Sequence, residues 1–183
     1  MKKLFNVFIT FIFILVVAAL LLTAFGYRFQ KASSADVIAM FPTIGEGDYF
    51  LVNTNYNVKD IKRGDIVAID KLNYPSQLIR RIIGLENDNI EIKDGEIYLN
   101  NKRLIEPYAS NLQITAKDSP DYFIQNKTKI TIPSGKLFIV GDNRINSVDS
   151  RNSTFGLVDV NSIKGKLVRI LLSKNLDKIG KSF

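Results

Sequence analysis

The N-terminal stretch most limits how this chain can fold, because residues 4–27 carry no charged side chain and are rich in Leu, Ile, Val and Phe. A helix of that length can cross the hydrocarbon core of a bilayer, which is about 30 Å thick. The alternative is a cleaved signal peptide, whose apolar region would be about 7–15 residues long and would end at small residues. This run is longer, and only a weak cleavage site follows it. We therefore expect an uncleaved transmembrane helix at 4–27.

Charge leaves the orientation of that helix open. Lys2 and Lys3 precede it, and Arg28 and Lys31 follow it, so the positive-inside rule favours neither side. The net charge of +7 suits contact with anionic lipid or nucleic acid. Since no nucleic-acid motif accompanies the charge, nucleic acid is not an expected partner.

Two residue types are missing from the composition. The chain has no Cys and no His. A disulfide, a zinc site with the usual ligands and a Ser-His-Asp triad are therefore excluded, and we expect neither a metal nor another cofactor.

The rest of the chain shows strand patterns. Residues 28–37 look like a short linker, and residues 38–183 are predicted to form one mainly β domain. The clearest signal is residues 89–104, where apolar and polar residues alternate on both sides of Asp94-Gly95, which predicts a β-hairpin. Residues 129–143 repeat that pattern around a turn at 133–135.

Two further segments have less definite patterns. Residues 105–127 are polar and rich in turn formers, so we expect a loop or small subdomain there. The basic segment from residue 157 onward is either a strand and tail lying against anionic lipid or an ordinary solvated tail.

Four stretches occur in a fixed order after the apolar helix: AMFPTIGEGD (39–48), IKRGDIVAI (61–69), IRRIIGLEND (79–88) and GDNRINSVDSR (141–151). Together they resemble the type I signal peptidases, membrane-anchored Ser/Lys endopeptidases that remove signal peptides from exported proteins. The resemblance implies a signal-peptidase-type β-sheet or barrel ectodomain on a single transmembrane helix. It also implies that residues 1–3 are cytoplasmic and that the domain lies outside the cell membrane.

The resemblance fails at the two residues that would carry the chemistry. The family's nucleophilic Ser corresponds to Ala39, which has no side-chain oxygen. The family's basic Lys corresponds to Arg80, whose guanidinium stays protonated and cannot accept the Ser proton. We therefore predict that no catalytic residue of the family's kind is active here.

Most of the polar motif is retained. The resemblance implies that Ser147 and Asp149 lie near position 80, and we expect Asp149 to form an ion pair with Arg80. The other retained residues are predicted to hold the fold as a polar network: Asp142, Asn143, Arg144, Ser150 and Arg151. Removing one member of such a network would leave buried polar groups unpaired.

The predicted function is that of a non-catalytic assembly factor or chaperone that binds an exported polypeptide, such as a pilin or its signal-peptide region. Some signal peptidase-like proteins of Gram-positive bacteria, encoded with pilus subunits, are similar in lacking the catalytic Ser and Lys. The predicted peptide-binding cleft contains Met40, Phe41, Pro42, Arg80, Ser147 and Asp149. Two alternatives stay open: an endopeptidase that processes signal peptides with non-standard residues, and a scaffold with no peptide cleft.

Overall fold

The structure is a computed structural model that describes residues 2–71, 74, 76–109 and 129–183. Helix α1 spans Lys2–Ala24, and none of its side chains is buried in the protein. Within the described residues, it is the helix that is long and apolar enough to cross a membrane. It ends before the predicted residue 27 because Gly26 adopts a left-handed φ of 81° and a strand begins at Tyr27.

The prediction of a mainly β fold is confirmed. The described strands are β1 Tyr27–Lys31, β2 Tyr49–Asn53, β3 Ile66–Ile69, β4 Leu78–Gly84, β5 Asn89–Lys93, β6 Glu96–Leu99, β7 Lys102–Arg103, β8 Lys129–Thr131, β9 Lys136–Val140, β10 Val158–Asp159 and β11 Ile163–Leu172. They form a seven-stranded sheet in the order β1-β2-β11-β3-β4-β9-β10 and a four-stranded sheet in the order β7-β6-β5-β8.

The hairpin predicted at residues 89–104 is present as β5 and β6. Ile92 pairs with Ile97 and Lys93 with Glu96 across the turn. Asp94 and Gly95 both have positive φ, 50° and 81°, as a two-residue turn that matches the twist of the strands requires. The alternation of apolar and polar residues is sufficient to predict this hairpin, because both strands present one apolar face to the same core.

The second hairpin prediction is wrong, although its turn is correct. The Lys136 N–H donates to the Pro133 carbonyl, which closes the turn. The strands on either side then separate, because β8 pairs with β5 in the smaller sheet and β9 pairs with β4 in the larger one. The turn therefore carries the chain from one sheet to the other.

The linker predicted at 28–37 is also wrong. Residues Tyr27–Lys31 pair with β2 along their whole length as edge strand β1. Helix α2, Ser34–Met40, follows directly and begins at a capping box between Ser33 and Asp36. The folded unit therefore begins at Tyr27, because long-range pairing with β2 gives structure to a polar sequence.

The segment predicted as a loop or small subdomain at 105–127 lies outside the described residues from 110 onward. Near the C-terminus, the residues predicted to be a strand or a membrane-proximal tail form β11, which pairs with both β2 and β3. Beyond it, the chain folds back, and the Ile170 N–H donates to the Lys181 carbonyl.

The two sheets and α2 position the site. The short helix α2 packs on β4, with Met40 buried in a cluster that includes Ile44, Phe50 and Ile79. The residues after β9 turn back along α2 and β4. Three parts of the chain that are distant in sequence therefore meet at the C-terminal end of α2.

Candidate functional site

The residues after β9, Gly141–Arg151, connect the site; we call this segment the polar loop. Its Asn143 donates from the backbone N–H to the Ala39 carbonyl at 2.9 Å and from Nδ2 to the Ile38 carbonyl at 2.8 Å. A Cβ at Gly141 would collide with the Ala39 carbonyl and the Ser147 hydroxyl. The polar loop therefore packs directly on the last turn of α2, and only glycine fits at position 141.

Ala39, the predicted nucleophile position, is 2% exposed at this junction. Its side chain is a methyl group, which can neither donate nor accept a proton. The backbone around Ala39 is held in place, because its carbonyl accepts the Asn143 N–H and the side chain of the following Met40 packs in the core.

Arg80, the predicted base position, is 4% exposed on β4. Its Nε and Nη2 donate to the Val148 carbonyl at 3.1 and 2.9 Å, and its Nη1 donates to the Ile79 carbonyl at 2.7 Å. Burial lowers the pKa of the Arg80 guanidinium, an effect that Asp149 and Asp36 partly offset. The group nevertheless remains a cation at neutral pH, as expected for a guanidinium, and cannot take a proton from a hydroxyl.

The predicted ion pair between Arg80 and Asp149 is wrong. Asp149 instead binds Arg151 with both oxygens, at 2.7 Å to Nε and 2.8 Å to Nη2. It also accepts the Gly141 N–H at 3.0 Å. Arg151 lies two residues away in the same loop and saturates the carboxylate, so Arg80 is left to bond backbone carbonyls.

Burial alone would raise the pKa of Asp149, but Arg151 and the Gly141 N–H outweigh it and hold that pKa below its ordinary value. The carboxylate is therefore a weak base. The Ser147 hydroxyl is buried without a well-formed hydrogen bond in the described part of the chain, and its approach to Asp149 adds to the lowering of the pKa.

Around these residues lies a set of buried charges that we call the ionic network: Arg81, Glu106, Asp142, Arg144, Asp149 and Arg151. Arg81 binds Asp142 with two hydrogen bonds of 2.8 and 2.6 Å. Arg144 binds Glu106 in the same two-pronged way, at 2.5 and 2.6 Å. Each cation of the ionic network therefore has a carboxylate partner, which offsets the cost of removing both charges from water.

The remaining retained residues join the network to the strands. The Ser150 hydroxyl accepts the Ile139 N–H at 3.0 Å, and the Arg151 Nη1 donates to the Arg144 carbonyl at 2.8 Å. The structure thus brings together the five residues predicted to hold the fold: Asp142, Asn143, Arg144, Ser150 and Arg151.

Sequence reasoning missed Glu106, Arg81 and Asp36. Glu106 lies in a segment that looked like a solvated loop, and the one available signal was that a buried Arg144 would need a carboxylate from some distant part of the chain. Arg81 also stacks over the Tyr108 ring, with its guanidinium carbon 4.0 Å from the ring centre. Asp36 caps α2 and also accepts the Ile79 N–H of β4.

The predicted cleft residues do not all face the same environment. Met40 and Asp149 are both fully buried and cannot contact a ligand, so their prediction as cleft residues is wrong. Phe41 is 54% exposed, because the chain turns outward after α2. With Pro42, Gly45, Lys174 and Lys178, it lines a surface groove of about 270 Å³ beside the site.

The comparisons with known proteins all find similarity to signal peptidases. The sequence model of a family described as signal peptidase, peptidase S26, matches residues 5–172. The chain is 32% identical to Signal peptidase I T of Bacillus subtilis over 165 residues, which cover 90% of this chain and 85% of that protein. It is 36% identical to Signal peptidase I of Bacillus licheniformis over 155 residues, covering 84% and 81% of the two chains.

A solved signal peptidase I from Enterococcus faecalis aligns with a TM-score of 0.46 at 28% identity and covers 60% of this chain and 97% of its own.

Proposed function

The chain belongs to the signal peptidase family, peptidase S26, and we propose that it is a membrane-anchored member that binds an exported polypeptide without cutting it. The observation that carries this proposal is the pair of side chains at positions 39 and 80. A methyl group and a guanidinium occupy a site whose backbone and ionic network are otherwise complete. Peptide bond hydrolysis through a covalent intermediate needs a nucleophile and a base that can accept its proton.

Other hydroxyls of the site do not supply this chemistry readily. The Thr43 hydroxyl donates a hydrogen bond to Asp142, which already forms an ion pair with Arg81. Among the described residues, the carboxylate that Ser147 approaches is Asp149, and the lowered pKa of that carboxylate makes it a poor proton acceptor.

The proposed ligand is an extended segment of an exported protein. Backbone groups at a sheet edge can bind such a segment with main-chain hydrogen bonds and need no reactive side chain. A pilin or its signal-peptide region is the proposed partner, because the sequence resembles the signal peptidase-like proteins of Gram-positive pilus clusters. The role would then be that of an assembly factor or chaperone.

The anchor and its surroundings support a location at the cell membrane. We place the N-terminus in the cytoplasm and the β domain outside. The end of β11 and the segment after it present exposed Leu172, Leu176 and Ile179 together with Lys174 and Lys181, a combination that suits the surface of an anionic bilayer. Protease added to intact cells should digest the β domain; its protection would contradict this orientation.

Signal-peptide cleavage with non-standard residues is the second candidate. It is favoured by the relatives of Bacillus, which are named as signal peptidase I. In this site, Ser147 is the residue on which such an activity would depend. Cleavage that is abolished by Ser147→Ala while the fold is retained would support this candidate.

A binding experiment tests the leading proposal. A fluorescent peptide with the Ala-x-Ala ending typical of signal peptides should bind the full-length protein in detergent micelles and stay uncut by mass spectrometry. Phe41→Lys should weaken binding by roughly tenfold, because it replaces an apolar contact. Phe29→Lys is the matched control, since Phe29 is also 54% exposed but lies on β1. Equal weakening by both variants, or none by either, would contradict a cleft beside Phe41.

A further inference from the structure

We infer that the sheet edge beside Ala39 is closed in the free protein by two of the chain's own side chains, Asp36 and Arg80, and that a bound peptide must displace them. The inference rests on the proposed function, since it concerns how the same site admits an extended peptide. It assigns to Arg80 a role beyond the loss of a base.

The geometry of β4 identifies the edge. Ile82 donates its N–H to the Asp65 carbonyl and accepts the Gly64 N–H, so both of its backbone groups point toward the β3 side. In an antiparallel ladder the backbone groups of successive residues point to alternate sides. Those of Ile79, three residues earlier, therefore point to the opposite side, toward β9.

No strand of the described chain pairs with Ile79 on that side. The pairing between β4 and β9 reaches Arg81, which lies opposite Val140. Gly141 then leaves the sheet and donates its N–H to Asp149. An added extended peptide would continue the ladder at Ile79, where β9 stops.

Both backbone groups of Ile79 are already bonded within the chain. The N–H donates to Asp36 Oδ1 at 3.1 Å, and the carbonyl accepts Arg80 Nη1 at 2.7 Å. The Ser33 hydroxyl donates to the other oxygen of Asp36 at 2.6 Å as part of the cap of α2. All three bonds are buried or half-buried, so solvent does not compete with them.

Arginine is suited to this closure in a way that lysine is not. One guanidinium bonds the Ile79 carbonyl with Nη1 and the Val148 carbonyl with Nε and Nη2. This planar fork ties β4 to the polar loop across the position that a peptide would occupy. A lysine has one ammonium nitrogen, which would have to donate to both carbonyls by itself.

The test compares peptide affinity in variants that open the edge. Asp36→Ala frees the Ile79 N–H, and Arg80→Met frees its carbonyl, so each should raise the affinity of the full-length protein for the Ala-x-Ala peptide by roughly two- to tenfold. Ser33→Ala is the matched control, because it weakens the cap of α2 but leaves the bond between Asp36 and Ile79 in place. It should leave the affinity unchanged. Hydrogen exchange at the Ile79 amide should accelerate in Asp36→Ala but not in Ser33→Ala.

The possible results separate this inference from the proposed function. Faster exchange at Ile79 together with unchanged or weaker peptide binding in Asp36→Ala and Arg80→Met would overturn the inference alone. Equal gains in Asp36→Ala and Ser33→Ala would assign the effect to a looser α2 and would also overturn it. Absence of binding in every form, the opened variants included, would overturn the proposed function and this inference with it.

Discussion

Two regions of the site lie side by side and differ in the chemistry of their side chains. At positions 39 and 80, where we propose that the nucleophile and base of the family would lie, the chain has a methyl group and a guanidinium. In the adjacent ionic network, each charged side chain forms an ion pair with a partner of opposite sign. The difference follows from physical cost. A methyl group at position 39 leaves every charge with its partner. The loss of one member of the network, in contrast, leaves the other member as a buried charge without a partner of opposite sign.

The largest effect should come from breaking one pair of the network. Arg144→Met leaves Glu106 buried without its cation, and we expect the free energy of unfolding to fall by about 3–5 kcal/mol. The double variant Arg144→Met, Glu106→Leu should recover most of that loss. Chemical denaturation of the full-length protein in detergent micelles measures both. A loss below about 1 kcal/mol in the single variant would show that the pair does not hold the fold.

The network should also make the folded protein lose stability at acidic pH. The pKa of Asp149 is lower in the folded protein than in the unfolded chain, where it is about 4. Its contribution is therefore fully present above about pH 4 and is lost as pH falls through the folded-state pKa.

Melting temperatures recorded from pH 7 down to pH 3 measure this effect. Asp149→Asn should be less stable than the wild type at pH 7 and should lose less on acidification. Parallel curves for the two proteins would show that another group titrates.

A smaller loss is expected at position 80. Arg80→Met leaves the Val148 and Ile79 carbonyls without their donor but also removes a buried cation that forms no ion pair within the described part of the chain. We expect the free energy of unfolding to fall by about 1–3 kcal/mol, less than for Arg144→Met in the same assay.

The surface variant Arg103→Met is the reference for this comparison. It removes an exposed ion pair with Glu96 and should not shift the denaturation midpoint measurably. A loss at position 80 as large as that at position 144 would mean that the two regions are equally needed for the fold.

The parts of this structure that the sequence predicts are those where the signal is local. The hairpin of β5 and β6 follows from alternation around Asp94-Gly95, and the apolar helix follows from its length. The polar loop could be recognised as a polar network because its residues follow one another in the chain.

What could not be predicted depends on partners that are distant in sequence. Strand β1 is polar and exists because β2 pairs with it, and Glu106 is buried because Arg144 needs a carboxylate. The ion pair of Arg80 with Asp149 was a wrong prediction since Arg151 is a nearer partner for that carboxylate. Which groups pair is decided by the packing of α2 and the polar loop on β4.

The most direct test of the central claim is a cleavage time course with a precursor protein that bears a signal peptide. The full-length wild type should leave the precursor intact, because positions 39 and 80 offer no nucleophile and no base. The double variant Ala39→Ser, Arg80→Lys should release mature protein slowly, since the rest of the site is in place. Turnover by the wild type, lost in Ser147→Ala, would contradict the account.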